Sequence, residues 1–113
     1  MTMYTNPFEA MTVANSILVK KGLSIYEGDW AKEILEYRCN RRYQYGEIYY
    51  EVDIQLTSEG FNEARRTFGI VDYTICAYSI PNDPYVRIKI TLEGVLSLRV
   101  LVPEEECDAI MAL

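Results

Sequence analysis

Residues 47–56 read Glu47-Ile48-Tyr49-Tyr50-Glu51-Val52-Asp53-Ile54-Gln55-Leu56. Ile48, Tyr50, Val52, Ile54 and Leu56 alternate strictly with Glu47, Tyr49, Glu51, Asp53 and Gln55. Side chains along a strand point to opposite faces with a period of two. The pattern therefore predicts a half-buried strand with one dry face and one wet, acidic face. A sheet with one apolar face must bury it against another layer, and the flanking sequence offers helices for that purpose.

Upstream, Asn6 stands at a cap position, Pro7 in the first turn, and Glu9 completes a capping-box arrangement. Phe8, Met11, Ala14, Ile17 and Leu18 recur at helical spacing. Lys20 and Lys21 suit the negative end of the helix dipole, and Gly22 supplies a left-handed stop, with Leu23 folding back on Leu18. A second helix is expected from about Asp29 to Cys39. Trp30, Ile34 and Tyr37 form its stripe, Ala31 and Leu35 flank it, and Asn40 ends it.

Downstream, Thr57 or Ser58 caps a third helix with Phe61, Ala64 and Phe68 inward and Gly69 as its stop; Gly60 and Thr67 weaken it. Ile70 to Ile80 reads as a strand, and Pro81-Asn82-Asp83-Pro84 as a turn. Val86, Ile88, Ile90 and Leu92 alternate with Tyr85, Arg87, Lys89 and Thr91. Leu96, Leu98, Val100 and Val102 alternate with Val95, Ser97, Arg99 and Leu101. A two-residue loop at Glu93-Gly94 would set Ile88 on the face of Arg99. A three-residue loop, Leu92-Glu93-Gly94, keeps both patterns, pairs Ile90 with Leu96 and sets Arg87 opposite Arg99. Pro103 ends the strand, and Glu104 to Met111 reads as a short helix with Cys107, Ile110 and Met111 inward.

The expected order is α-α-β-α-β-β-β-α. The fold class is α+β: a four-stranded, mostly antiparallel sheet with helices packed on one face, in a single domain spanning 1–113. At 113 residues the chain can bury a core without staples. Half of it is apolar and a quarter charged, an ordinary globular balance.

The chain has 11 basic and 17 acidic residues, a net charge of −6, which works against general attraction to nucleic acid or anionic membrane. Cys39, Cys76 and Cys107 are three and widely spaced, as in a reduced compartment, and no apolar run approaches the ~20 residues of a membrane span. The cytoplasm is the expected location, with no membrane association. Histidine is absent, which removes the commonest general base and transition-metal ligand. No serine has a nucleophile context and no glycine-rich phosphate cradle exists. No catalytic residue, metal site or cofactor is expected.

The segment most suited to contact is 37–50, where Tyr37, Tyr43, Tyr45, Tyr49 and Tyr50 interleave with Arg38, Arg41 and Arg42. Tyrosine and arginine are enriched at protein-interface hot spots, and the same mixture can stack on and neutralise single-stranded nucleic acid. The bland alternative is that Tyr37 and Tyr50 enter the core while the arginines pair with nearby carboxylates. Glu47, Glu51 and Asp53 share the wet strand face, on which neighbours two residues apart stand about 7 Å from one another. They could hold a cation weakly, imitate a row of phosphates, or pair with Arg87, Lys89 and Arg99 on an adjacent hairpin. The last option would let charge select strand order.

The partner-binding set is thus Arg38, Arg41, Arg42, Tyr43, Tyr45, Tyr49, Glu47, Glu51 and Asp53. The expected function is a small acidic, non-enzymatic protein-binding module. It would be an inhibitor or adaptor docking on a larger, basic bacterial protein of nucleic-acid-binding, phage-defence type, since complementary charge speeds capture. Immunity proteins, secretion chaperones and the anti-defence inhibitors of phages and mobile elements include small acidic α+β proteins of this kind, an analogy of class only. The alternatives are a single-stranded nucleic-acid binder using residues 37–50 and a carboxylate enzyme using Glu51 and Asp53. Direct nucleic-acid contact is not the favoured reading. An exposed hairpin edge could also pair across a dimer axis.

Overall fold

The computed structural model describes residues 3–69, 73–80 and 83–111. Its elements are α1 (Pro7–Lys20), β1 (Ile34–Gln44), β2 (Glu47–Leu56), α2 (Ser58–Phe68), β3 (Tyr73–Ile80), β4 (Asp83–Leu92), β5 (Leu96–Pro103) and α3 (Cys107–Met111). Short 3-10 turns lie at Ala31–Glu33 and Glu104–Glu106. The α+β class stands, but the expected four-stranded, mostly antiparallel sheet is corrected to a mixed sheet of five strands in the order β1-β2-β5-β4-β3. β2 runs parallel to β5, and the other neighbours are antiparallel.

Two successive antiparallel pairings make β3 parallel to β5, and hence to β2. The connection β2-α2-β3 is therefore a parallel crossover, and the β3-β4-β5 meander returns to fill the gap beside β2. One sheet face carries the core. Val52, Ile54 and Leu56 of β2, Ile88 and Ile90 of β4, and Leu96, Leu98 and Val100 of β5 are buried there with Ala10, Ala14, Ile17 and Leu18 of α1 and Phe61 and Ala64 of α2. α1 packs on β2 and β1, and α2 on β5 and β2. No helix among the described residues is long and apolar enough to cross a membrane.

α1 follows its sequence signals at both ends. The Asn6 side chain accepts hydrogen bonds from the N–H groups of Phe8 (2.8 Å) and Glu9 (3.3 Å). At the far end Gly22 takes φ 79°, which lets the Leu23 N–H return to the Leu18 carbonyl at 3.0 Å. Two details differ. Glu9 stays exposed and makes no bond back to the cap among the described contacts. Phe8, expected inward, is 72% exposed, because the buried stripe runs through Ala10 and Ala14 and leaves Phe8 on its flank. Those two alanines let the helix axis approach the sheet closely.

The second helix is the largest correction. Only Ala31–Glu33 makes a helical turn, and Ile34–Gln44 is a strand paired residue by residue with β2, from Arg38↔Asp53 to Gln44↔Glu47. A two-residue loop, Tyr45-Gly46, joins the two strands with both residues at positive φ, 52° and 79°. Primed turns of this kind match the twist of paired strands, so the loop itself dictates a hairpin.

The turn at Ala31–Glu33 locks onto the start of α2. The Trp30 indole N–H donates to the Gly60 carbonyl at 2.9 Å, the Thr57 N–H donates to the Glu33 carbonyl at 3.0 Å, and the Thr57 hydroxyl bonds the Glu33 carboxylate. A Cβ at Gly60 would stand 2.5 Å from the Cβ of Glu33. The glycine that weakens α2 by propensity is there for close approach. Thr57 is the α2 cap, accepting from the Gly60 N–H, and Gly69 ends the helix.

The final hairpin has a three-residue loop, as parity demanded, but it is Glu93-Gly94-Val95. Leu92 pairs with Leu96 and Ile90 with Leu98, two residues removed from the expected register. Val95 is wholly buried in the loop, where its N–H donates to the Leu92 carbonyl and its carbonyl accepts the Val52 N–H at 2.7 Å. Lys89, not Arg87, therefore faces Arg99. Asp83 and Pro84, expected in a turn, already pair with Ile80 and Ser79. Ile70–Asp72 and Pro81-Asn82 lie outside the described residues, as do the side chains of Ile110 and Met111.

Candidate functional site

β2 pairs with β5 only from Val52 onward. Residues 40–51 of the β1–β2 hairpin therefore extend beyond the rest of the sheet as a two-stranded arm. Among the described residues it is supported further by an isolated bridge, in which the Tyr50 N–H donates to the Tyr4 carbonyl at 2.8 Å, and by the packing of half-buried Tyr50 against the core. Such a ribbon has few tertiary contacts to justify its side chains, so what it displays is informative.

Alternation divides the arm. Arg41, Tyr43, Ile48 and Tyr50 project on the face that carries the helices, with Tyr43 opposite Ile48 and Arg41 opposite Tyr50. Tyr43 is 73% exposed and Ile48 also lies open. At the tip Tyr45 is 91% exposed. Arg42, Gln44, Glu47, Tyr49 and Glu51 project on the helix-free face. The Arg42 Nε donates to Glu51 Oε1 at 2.8 Å, and that hydrogen bond raises the arginine's pKa against the opposing effect of burial. The charges of Glu51, Asp53 and Tyr49 add to the rise.

The helix-free face continues as a charge lattice across β1, β2 and β5. Arg38 pairs with Glu36, and Arg99 lies 3.7 Å from Glu36 and 3.5 Å from Asp53. The contact to Asp53 is ionic rather than a well-aligned hydrogen bond. The acidic strand and the basic hairpin are neighbours, and Asp53 is the acid beside the Lys89–Arg99 like-charge pair. Asp53 does not project freely into solvent, however. It is only 6% exposed, enclosed by the side chains of the flanking strands, although it points to the outer face.

The nine sequence candidates thus separate into two groups. Arg41, Tyr43 and Tyr45, with Glu47 at the base of the turn, are displayed on the arm. Arg38, Arg42, Glu51 and Asp53 are engaged in ion pairs, with Tyr49 half-buried beside them. Among the described residues no group of three His, Cys, Asp or Glu side chains could hold a metal ion.

A second feature was not marked in the sequence. A half-open groove of about 500 Å³ lies between α1 and the edge strand β1, walled by Phe8, Met11 and Asn15 on one side and Ile34 and Tyr37 on the other. Tyr26, 81% exposed, stands at its rim, where the Ser24 hydroxyl accepts the N–H groups of Tyr26 and Glu27. Nothing in the sequence around Tyr26 distinguished it from an ordinary surface residue.

Burial raises the Tyr37 hydroxyl pKa, helped by the charges of Cys39 and Tyr26, and burial raises that of the Cys39 thiol. Both groups are neutral below their ordinary values, 9.0 for the thiol and 10.0 for the phenol. A raised folded-state pKa stabilises the fold below the unfolded value, and that contribution is lost as pH rises through the folded one. Thermal stability under reducing conditions is therefore expected to carry this contribution unchanged from neutrality to the ordinary thiol range and to lose it above. Cys39→Ala should remove the earlier part of that loss in a melting-temperature series against pH. An identical alkaline profile in Cys39→Ala would contradict the assignment.

The chain matches no protein-family model, no curated protein and no solved structure.

Proposed function

We propose that this protein is a non-enzymatic binding module, an inhibitor or adaptor that docks on a larger, basic bacterial protein through the projecting β1–β2 arm. The observation that carries the reading is Tyr45. It occupies the first position of a two-residue turn at φ 52°, where asparagine, aspartate or glycine is the favourable choice, and it is 91% exposed. A bulky residue in a left-handed conformation costs free energy, and such outliers cluster at functional sites. An aromatic ring that packs on little of its own chain is well placed to pack on another. Tyr43 and Ile48 beside it extend the apolar contact, and the acidic surplus of the chain favours a basic target of nucleic-acid-binding, phage-defence type.

The rivals draw less support. Arg38 and Arg42 are committed to Glu36 and Glu51, which leaves Arg41 as the arginine of the segment with no ion pair among the described residues. That is thin cover for a single strand's phosphates. Glu51 and Asp53 each face a guanidinium, an arrangement that keeps carboxylates paired rather than poised for acid–base work.

Tyr45→Asn separates function from folding, because its two effects have opposite signs. The asparagine should be more stable by about 0.5–1 kcal/mol, since the turn position is relieved. Affinity purification from a bacterial lysate, read by mass spectrometry, should recover a specific partner with the native chain and lose it with Tyr45→Asn. Recovery of no specific protein, or equal recovery by the stabilised variant, would count against the arm as the binding element.

A further inference from the structure

β1 is an edge strand of 11 residues with no proline and, among the described residues, no strand on its outer side. The direction of its backbone groups follows from its neighbour. The N–H groups of Tyr50 and Val52 point away from β1, to the carbonyls of Tyr4 and Val95. Arg41↔Tyr50 and Cys39↔Val52 are therefore the non-hydrogen-bonded pairs of the β1–β2 ladder. In such pairs the backbone groups of both partners point outward. Cys39 and Arg41, and by alternation Tyr37 and Tyr43, thus aim their N–H and C=O groups at the open edge. Among the described residues no hydrogen bond takes them up.

We propose that this edge pairs antiparallel with the β1 edge of a second copy of the chain, about a two-fold axis through Cys39, joining two five-stranded sheets into one. Cys39 is the midpoint of Ile34–Gln44, so this register centres the pairing on the strand. It places Glu36 opposite Arg42 of the second copy, Tyr37 opposite Arg41 and Arg38 opposite Asn40. Opposite charges meet, and a guanidinium meets an aromatic ring. Both are stabilising cross-strand pairs.

Neighbouring registers lack this fit. Centring on Arg38 sets that arginine against itself, and centring on Asn40 sets Arg38 against Arg42. Charged side chains normally protect an edge from pairing, but here each meets a complementary group on the second copy. The pairing is isologous, as a closed two-fold dimer requires. It would also carry the second copy's helix layer to the rim of the groove, where Phe8 and Tyr26 are exposed. The two Tyr45 tips would lie roughly 40 Å apart, six residues of extended chain on either side of the axis. The inference does not depend on the arm's partner.

Sedimentation equilibrium of the full chain at tens of micromolar should return twice the 13.1 kDa of one chain. Arg41→Pro removes an outward N–H only and leaves the β1–β2 ladder its bonds. It should return the single-chain mass with a native circular dichroism spectrum. Hydrogen exchange on the native chain gives an independent reading. The amides of Cys39 and Arg41 should become more protected as concentration rises, whereas an unpaired edge would leave them fast throughout. A single-chain mass at every concentration would overturn the proposal. So would a dimer whose Cys39 and Arg41 amides stay fast, or edge amides protected only when a different protein is added.

Discussion

Phe61→Ala is expected to lower the unfolding free energy by about 3–5 kcal/mol, the range for truncating a fully buried phenylalanine. For a domain whose total stability falls near 5–15 kcal/mol, that is a large share. Phe61 has no solvent exposure and leads the fully buried side chains by volume. It lies on α2, a helix otherwise rich in charged and polar residues, where Ala64 is the other buried apolar side chain and Phe68 is partly covered. The ring therefore does most of the work of docking α2 on β5 and β2. Because α2 is the crossover from β2 to β3, loosening it loosens the route to the far half of the sheet.

Phe8→Ala is the matched control. The same residue type at 72% exposure should change stability by no more than about 0.5 kcal/mol. Urea denaturation of both variants decides the matter, through a shifted midpoint at unchanged slope for Phe61→Ala alone. Equal effects from the two phenylalanines would mean that α2 is not seated as described.

What could be read in the sequence, and what could not, divides along a physical line. Local chemistry was legible. Asn6-Pro7 began a helix, Gly22 ended it, Thr57 capped α2, and the alternation of Ile48 to Leu56 made a strand. β1 was missed because of one residue. The pairing with β2 shifts between Ile34 and Glu36, so Leu35 is the extra residue of a bulge. Ile34 and Tyr37 then share the core face, opposite Leu56 and Ile54, although they are three apart in sequence. Three is a helical spacing, and with Trp30 four residues earlier it imitates a helical stripe. A bulge reproduces that pattern because it adds a residue without turning the strand over.

The hairpin was announced instead by Tyr45-Gly46, two residues between two long segments, but tyrosine is not a residue one expects at that φ. The parallel union of β2 and β5 was illegible for a different reason. It is made between segments some forty residues apart, and alternation says which way side chains face but not which strand lies alongside. For the candidate site, composition picked out Tyr43, Tyr45 and Arg41, which the fold leaves exposed on the arm. It could not say that Arg42, Glu51 and Asp53 would be occupied with one another, since their pairing depends on the register and on β5.

That occupation leads to the second large effect. Arg99→Met is expected to cost about 3 kcal/mol, because it keeps the length of the side chain and removes its charge. The Arg99 guanidinium sits between Asp53 at 3.5 Å and Glu36 at 3.7 Å, with its own side chain 18% and that of Asp53 9% exposed. Without it, Asp53 is a carboxylate held away from water beside Glu36. Stranding one member of an enclosed pair costs far more than the pair itself is worth. Removing both charges together avoids the stranded group, so Asp53→Val with Arg99→Met should cost clearly less than the sum of the two single changes. The four proteins form a double-mutant cycle, measurable by chemical denaturation, and the coupling should be at least about 1 kcal/mol. Additive losses would mean that solvent screens the pair and that the helix-free face is an ordinary wet surface. Strong coupling would make that face an internally satisfied layer with little charge to offer a partner. A partner would then have to be met by the exposed aromatic tip of the arm, which does not belong to that face.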